Sequence, residues 1–144
     1  MLSGKQLARR WFDEVWNQRD ASAISRYFPK DGIAHGLPPG PDLIGPAGFQ
    51  PYHAAFLDSF ADMHIAIDDL IEEDDRVAVR WHCTGTLTGG GLGVGPTGKP
   101  MNIAGMSILR VRDGQIVEAW NNFDVLGMHQ QLGTLAPIAG ILAS

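Results

Sequence analysis

Near Asp62 the hydrophobic period of this chain changes from about 3.6 to 2, and that switch narrows the possible folds more than any other feature. Before it, residues 3–18 place Leu7, Trp11, Phe12, Val15 and Trp16 at helical spacing, giving one wide apolar face. Asp20 is suited to cap a second, short helix through Phe28, which Pro29 stops. "GIAHG" (32–36) reads as a brief strand and "LPPGPDLIGP" (37–46) as a loop. A third helix carries Phe49, His53, Phe56, Leu57 and Phe60 on one side.

After the switch, 63–75 and 76–88 predict a hairpin closed at the acidic turn Glu73–Asp75. A glycine-rich loop (89–98) leads to a strand over 99–112, "DG" makes a tight turn, and 115–123 is the next strand. "VLGMHQQLG" closes as a short helix. Helices first and long antiparallel strands afterwards predict an α+β fold. The expected shape is a cone-like roll, a strongly curved, mostly antiparallel sheet wrapped around about three N-terminal helices, with a cavity at its mouth.

The 144 residues fit one domain, residues 1–144, with a C-terminal tail from about 134. With 44% hydrophobic and 19% charged residues, the chain can bury a core of ordinary size. A net charge of −5 without a lysine/arginine cluster argues against nucleic acid and anionic membranes as partners. One cysteine, Cys83, excludes an intrachain disulfide. The opening "MLSGKQLARRWF" shows no secretory signal and the apolar "APIAGILAS" is too short to span a bilayer, so a cytoplasmic protein is expected.

Gly93, Gly98 and Lys99 match the start of a phosphate-loop pattern, but Pro100 stands where a hydroxyl should hold magnesium. The segment also joins two strands, so a flexible hairpin loop or a lid over the cavity is the better reading. The five histidines show no metal-ligand spacing, and no metal or cofactor is expected. His64 is expected to face solvent and His53 to pack on its helix, whereas His35 ends a short strand where side chains reach a cavity rim. In 76–88, Val77, Val79, Trp81 and Cys83 form a core face; Arg80 and His82 share the opposite face, open to solvent, an interface or the pocket.

Counting by two from Glu118 puts Trp120, Asn122 and Asp124 on one side of the last strand, provided no bulge intervenes. A large aromatic among polar groups suits a pocket wall. Asp124 then has two readings, an N-cap for the helix from Val125 or a pocket residue that binds or transfers protons.

The stretch "DGQIVEAWNNFDVLGMHQQLG" resembles the C-terminal signature of the polyketide cyclase SnoaL-like (ester cyclase-like) family of the nuclear transport factor 2-like superfamily. "LARRWFDEVWNQRDASAISRYFPKDGIAHG" resembles its opening helices and short strand ending in histidine. "PPGPDLIGPAGFQPYHAAFLDSFADMHIAIDDLIEEDDRVAVRW" resembles its middle, and "GVGPTGKPMNIAGMSILRVRDG" its third long strand, so the likeness covers roughly residues 4–133. Ala119, in place of a frequent histidine, and Met128–His129, in place of a leucine pair, depart from the pattern.

The resemblance implies a homodimer or higher homo-oligomer formed through the outer sheet face. It also implies a cofactor-free intramolecular aldol ring closure on a small apolar polyketide-type substrate. Asp124 matches the family's general acid/base and His35 its histidine at the pocket mouth. A carboxylate walled by Trp120 and Phe123 is desolvated, which favours a general base at neutral pH. Asn122, Asn102, His35 or Arg80 would then stabilise the oxyanion, with Trp16 and Phe56 completing the binding surface. An isomerase, dehydratase or hydrolase of the same fold is the alternative, as is a non-catalytic protein that holds a small ligand.

Overall fold

The computed structural model describes residues 1–38 and 40–135; the apolar tail read over 136–144 lies outside the described residues. Among the described residues, four α-helices, a π-helix and six strands follow one another in an α+β arrangement. Helix α1 (Gly4–Arg10) begins with a capping box in which Ser3 and Gln6 satisfy each other's backbone N–H groups. It runs directly into a π-helix, Trp11–Asn17, whose wider winding turns Trp11, Phe12, Val15 and Trp16 into the core together. The N-cap of α2 (Ser22–Tyr27) is Ala21, without a side-chain capping bond. Asp20, one residue earlier than the cap, accepts instead from Ser22 N–H at 3.0 Å and Ser22 Oγ–H at 2.6 Å.

Strand β1 (Ile33–His35) pairs antiparallel with β2 (Leu43–Ile44), a two-residue strand inside the segment expected to be loop. Two residues are too few to show any alternation, so nothing in the pattern marks them. Helix α3 (Gly45–Ser59) follows, then β3 (His64–Glu73), β4 (Arg76–Thr86), β5 (Pro100–Arg112) and β6 (Gln115–Phe123), and α4 (Val125–Leu132) ends the described fold.

The strands form one open sheet in the order β2-β1-β6-β5-β4-β3, antiparallel except where β1 meets β6. Two bulges bend it. Asp68 is left unpaired in β3 between the Ile67 and Asp69 pairings, and Val117 is left unpaired in β6 between those of Ile116 and Glu118. The helices cover the concave face, where Leu7, Val15, Ile24, Phe60, Val77 and Val79 are almost fully buried.

Two side chains finish the sheet where backbone would otherwise be unpaired. Asn17 donates to Ile65 O at 2.9 Å and accepts from Ile65 N–H at 2.8 Å, which blunts the edge strand β3. Beyond the end of β6, Gln131 of α4 makes the same two-way bond to Asn102 of β5, at 2.6 and 3.1 Å. This clamp fixes α4 across the sheet and gives the glutamine of "QQLG" a structural task.

Candidate functional site

The concave face does not close on itself. Between it and the helices lies a narrow apolar cavity of about 80 Å³, small beside the roughly 300–1,000 Å³ of drug-sized ligand sites. Trp11, Phe12 and Trp16 reach it from the π-helix, Phe49, Tyr52 and Phe56 from α3, and Trp81, Ile103, Leu109 and Phe123 from the sheet. The rings are interlocked: Tyr52 and Phe56 lie 4.9 Å apart, Trp11 and Phe49 5.3 Å, and Trp81 and Phe123 6.0 Å. Trp81 has room because Gly105 faces it across the β4–β5 pairing, where any Cβ would collide with the indole.

One polar chain crosses this apolar wall. Asn121 bonds the backbone oxygen of His35 at 3.0 Å, and a carbonyl only accepts, so the Asn121 amide nitrogen must point there. Its oxygen then accepts from Ser107 Oγ–H at 2.8 Å, and Ser107 in turn accepts from Trp81 Nε1–H at 3.2 Å. Each step dictates the next, leaving the second amide hydrogen of Asn121 without a partner among the described residues. Cys83 and Tyr52 also line the cavity; burial pushes the Cys83 thiol up to about 12 and raises the Tyr52 hydroxyl as well, so neither is a ready proton donor to water.

Of the residues expected from sequence, Trp16, Phe56 and Phe123 line the cavity. Trp120, Asn122, Asn102 and Arg80 do not. The unpaired Val117 reverses the alternation of β6, so that Ile116 faces inward and then Ala119, Asn121 and Phe123 do. Trp120 and Asn122 therefore stand on the outer face, with Arg80, which pairs with Asp69 at 2.6 Å. His82, on the same face, bonds Asp68 at 2.9 Å. Asn102 is exposed, its backbone held by Gln131.

Asp124 is exposed and outside the lining; it caps α4, accepting from Gly127 N–H at 2.8 Å. His35 is half-buried on the outer face, with Glu118 and Asp42 against its two ring nitrogens and Trp120 stacked 5.6 Å away. His53 packs inside, donating from Nε2 to Val15 O at 2.6 Å, and burial lowers its affinity for a proton. His64 is exposed.

The residues missed from sequence are Asn121, Ser107 and Trp81 as a polar unit. The signal for Asn121 was its shared parity with Ala119 and Phe123. The glycine-rich loop is pinned at its base by Leu87 N–H to Lys99 O and Gly98 N–H to Leu87 O, and no helix follows it, in keeping with a hairpin loop. None of its residues lines the cavity, so the lid reading is not met. Among the described residues, no three or more His, Cys, Asp or Glu side chains are placed to hold a metal ion. No described helix is long and apolar enough to cross a membrane.

The sequence profile of the SnoaL-like polyketide cyclases matches residues 6–132. The chain belongs to that family. AclR of Streptomyces galilaeus, a proposed hydroxylase, is 26% identical with a TM-score of 0.79, covering 96% of this chain and 90% of its own. IdmH of Streptomyces antibioticus, a proposed polyketide cyclase, is 29% identical with a TM-score of 0.77, covering 90% and 97%. A Catenulispora acidiphila protein of ketosteroid isomerase-like fold is 17% identical with a TM-score of 0.78, covering 94% and 100%, and shares the fold. No curated protein gives a significant match. Family membership fixes the scaffold, while the wall of the cavity carries the argument about chemistry.

Proposed function

We propose that this SnoaL-like chain takes a small, uncharged, apolar carbonyl compound into the cavity and converts it without a cofactor, by polyketide-type intramolecular aldol ring closure. The observation that carries this reading is the aromatic cavity with a single buried polar chain ending at the amide of Asn121. Burying a charge against such a wall would be costly, whereas a neutral carbonyl oxygen meets a donor there. In the reaction, a carbon between two carbonyls loses a proton and the resulting enolate attacks a ketone of the same molecule. A C–C bond forms, the ketone oxygen becomes an alkoxide, and the proton returns to it. Asn121 N–H would stabilise that oxyanion, and the aromatic walls would hold the substrate folded for attack.

Proton transfer falls to Asp124 in this proposal, on the strength of the family resemblance, while His35, turned to the outer face with both ring nitrogens engaged, is left out of it. The reacting carbon would then lie at the end of β6, beside Phe123. Replacing Asp124 with Asn tests the assignment cleanly, because Asn caps a helix as well as Asp does. Turnover of a panel of polyketide methyl esters should be lost while the melting temperature stays the same. An unchanged rate removes Asp124 from the mechanism.

A second reading, a non-catalytic carrier of an apolar ligand, is favoured by one observation: among the described residues the lining contains no Asp, Glu, His, Lys or Arg. Tight binding without turnover of any panel member would select it. In either case we propose a homodimer through the outer sheet face, where Ile71, Met106 and Ile108 are 67%, 62% and 42% exposed. Met106→Asp should then sediment as a monomer, and a native protein that already sediments as one chain would contradict the dimer.

A further inference from the structure

His35 is held between two carboxylates, Glu118 Oε2 at 2.7 Å from Nε2 and Asp42 Oδ1 at 3.0 Å from Nδ1. Ionised carboxylates only accept, so both ring nitrogens carry hydrogens and the imidazole in this arrangement is a cation. The two acids are held unequally. Glu118 is also gripped by Arg110 of β5, at 3.1 Å through Nη2 and 3.3 Å through Nε. Asp42 precedes β2, is half-exposed, and has His35 as its one ionic contact among the described residues. The other charges near the ring are Arg76 of β4, 5.3 Å over Trp120, and Asp75, 4.0 Å from Arg76.

The same stretch of backbone builds the cavity. His35 O receives the Asn121 amide, and Leu37, two residues on, is buried in the lining. Gly36 between them has φ 80° and presses against the Asn121 carbonyl, where any Cβ would collide. Losing the proton from His35 turns one ring nitrogen into a lone pair facing a carboxylate. That contact becomes repulsive, and the less firmly held acid, Asp42, is the one to leave.

We propose that His35, Asp42 and Glu118 form a pH-sensitive latch that holds the Leu37 wall against the cavity and releases it when His35 loses its proton. The hydrogen bond to Glu118, together with Asp42, keeps His35 protonated to higher pH than an ordinary imidazole. The latch is therefore closed below the ordinary imidazole value of 6.5 and opens as pH rises through the raised midpoint of His35. It regulates access to the cavity that the proposed function uses, and its test needs no substrate.

Cys83, the one cysteine of the chain, lines that cavity and serves as the reporter. Its alkylation by iodoacetamide is followed across the pH range in the native protein, in Asp42→Asn, and in Asp69→Asn as a control of equal charge change. Imidazole signals of His35 are titrated in parallel by NMR. Comparing rates at each pH cancels the ionisation of the thiol. Below the His35 midpoint, Asp42→Asn should react on the order of tenfold faster than the native protein, the size expected for losing one charge-assisted contact. The ratio should fall to one above the midpoint, and Asp69→Asn should follow the native protein throughout. His35→Gln should show the fast rate at every pH, without a step. A ratio that stays at one, or that does not change across the His35 midpoint, would overturn the latch. So would a native thiol that remains unlabelled on the alkaline side.

Discussion

Ser107 is the middle member of the polar chain in the cavity wall, and removing its hydroxyl should cost more than one ordinary hydrogen bond. The oxygen accepts from Trp81 Nε1–H at 3.2 Å and donates to Asn121 Oδ1 at 2.8 Å. Ser107→Ala strands both partners. Trp81 is 7% exposed, so its N–H finds no water and carries most of a desolvation penalty of about 1–3 kcal/mol. Asn121 is half-buried and can turn its oxygen to water, so its share is nearer the low end. Together the loss should be roughly 2 kcal/mol, lowering the melting temperature of a domain this size by about 6–10 °C. Urea unfolding followed by tryptophan fluorescence measures it, with an unchanged slope showing that the two states are the same. In an Asn121→Leu background the same change should cost about 1 kcal/mol less, because one partner has already gone. A loss below about 0.5 kcal/mol in the native background would show that these groups are not coupled as described.

Three further outcomes follow from the same geometry. His35 and His53 should pull stability in opposite directions with pH. His35 binds its proton more tightly when folded, so its contribution is full below the ordinary imidazole value of 6.5 and is lost as pH rises through its raised value. His53 binds its proton less tightly because it is buried, so stability falls as pH drops below 6.5 towards its lowered value. Urea midpoints across pH should show His35→Gln flattening the alkaline limb and His53→Asn the acid one. Gln131→Ala removes both bonds to the Asn102 backbone and should cost about 1–2 kcal/mol, with amide exchange in α4 rising more than in β4. Gly105→Ala puts a methyl group where the Trp81 indole lies, so it should shift tryptophan emission and weaken ligand binding even if the protein still folds.

Much of the architecture was legible because period and length speak for themselves in β4, where Val77, Val79, Trp81 and Cys83 alternate cleanly and are buried as expected. The helical face of Trp11, Phe12, Val15 and Trp16 was equally plain, although a π-helix leaves no mark that distinguishes it from α in so short a stretch. The site was harder to read. The count by two from Glu118 held, because the unpaired Val117 lies before it, but how that count connects to the inward Ile116 is decided by a bulge that depends on the neighbouring strand. Reading a large aromatic among polar groups as a pocket wall sent Trp120, Asn122 and Asp124 inward on paper and left Asn121 outside, whereas Trp120 and Asn122 stand together on the outer face. His35 shows the same limit. Its place at a strand end was clear, but its two carboxylate partners come from positions seven residues later and across the sheet.

The central claim is that ligand chemistry happens on the inner face of β6, at Asn121. The most direct measurement is the affinity of a neutral aromatic ketone with environment-sensitive fluorescence for the native protein, Asn121→Leu and Asn122→Leu. The two changes are chemically identical and one residue apart, but they face opposite sides of the sheet. Asn121→Leu should weaken binding by roughly tenfold, the loss expected for one buried hydrogen bond, and Asn122→Leu should leave it unchanged. A loss at Asn122 with none at Asn121 would contradict the account.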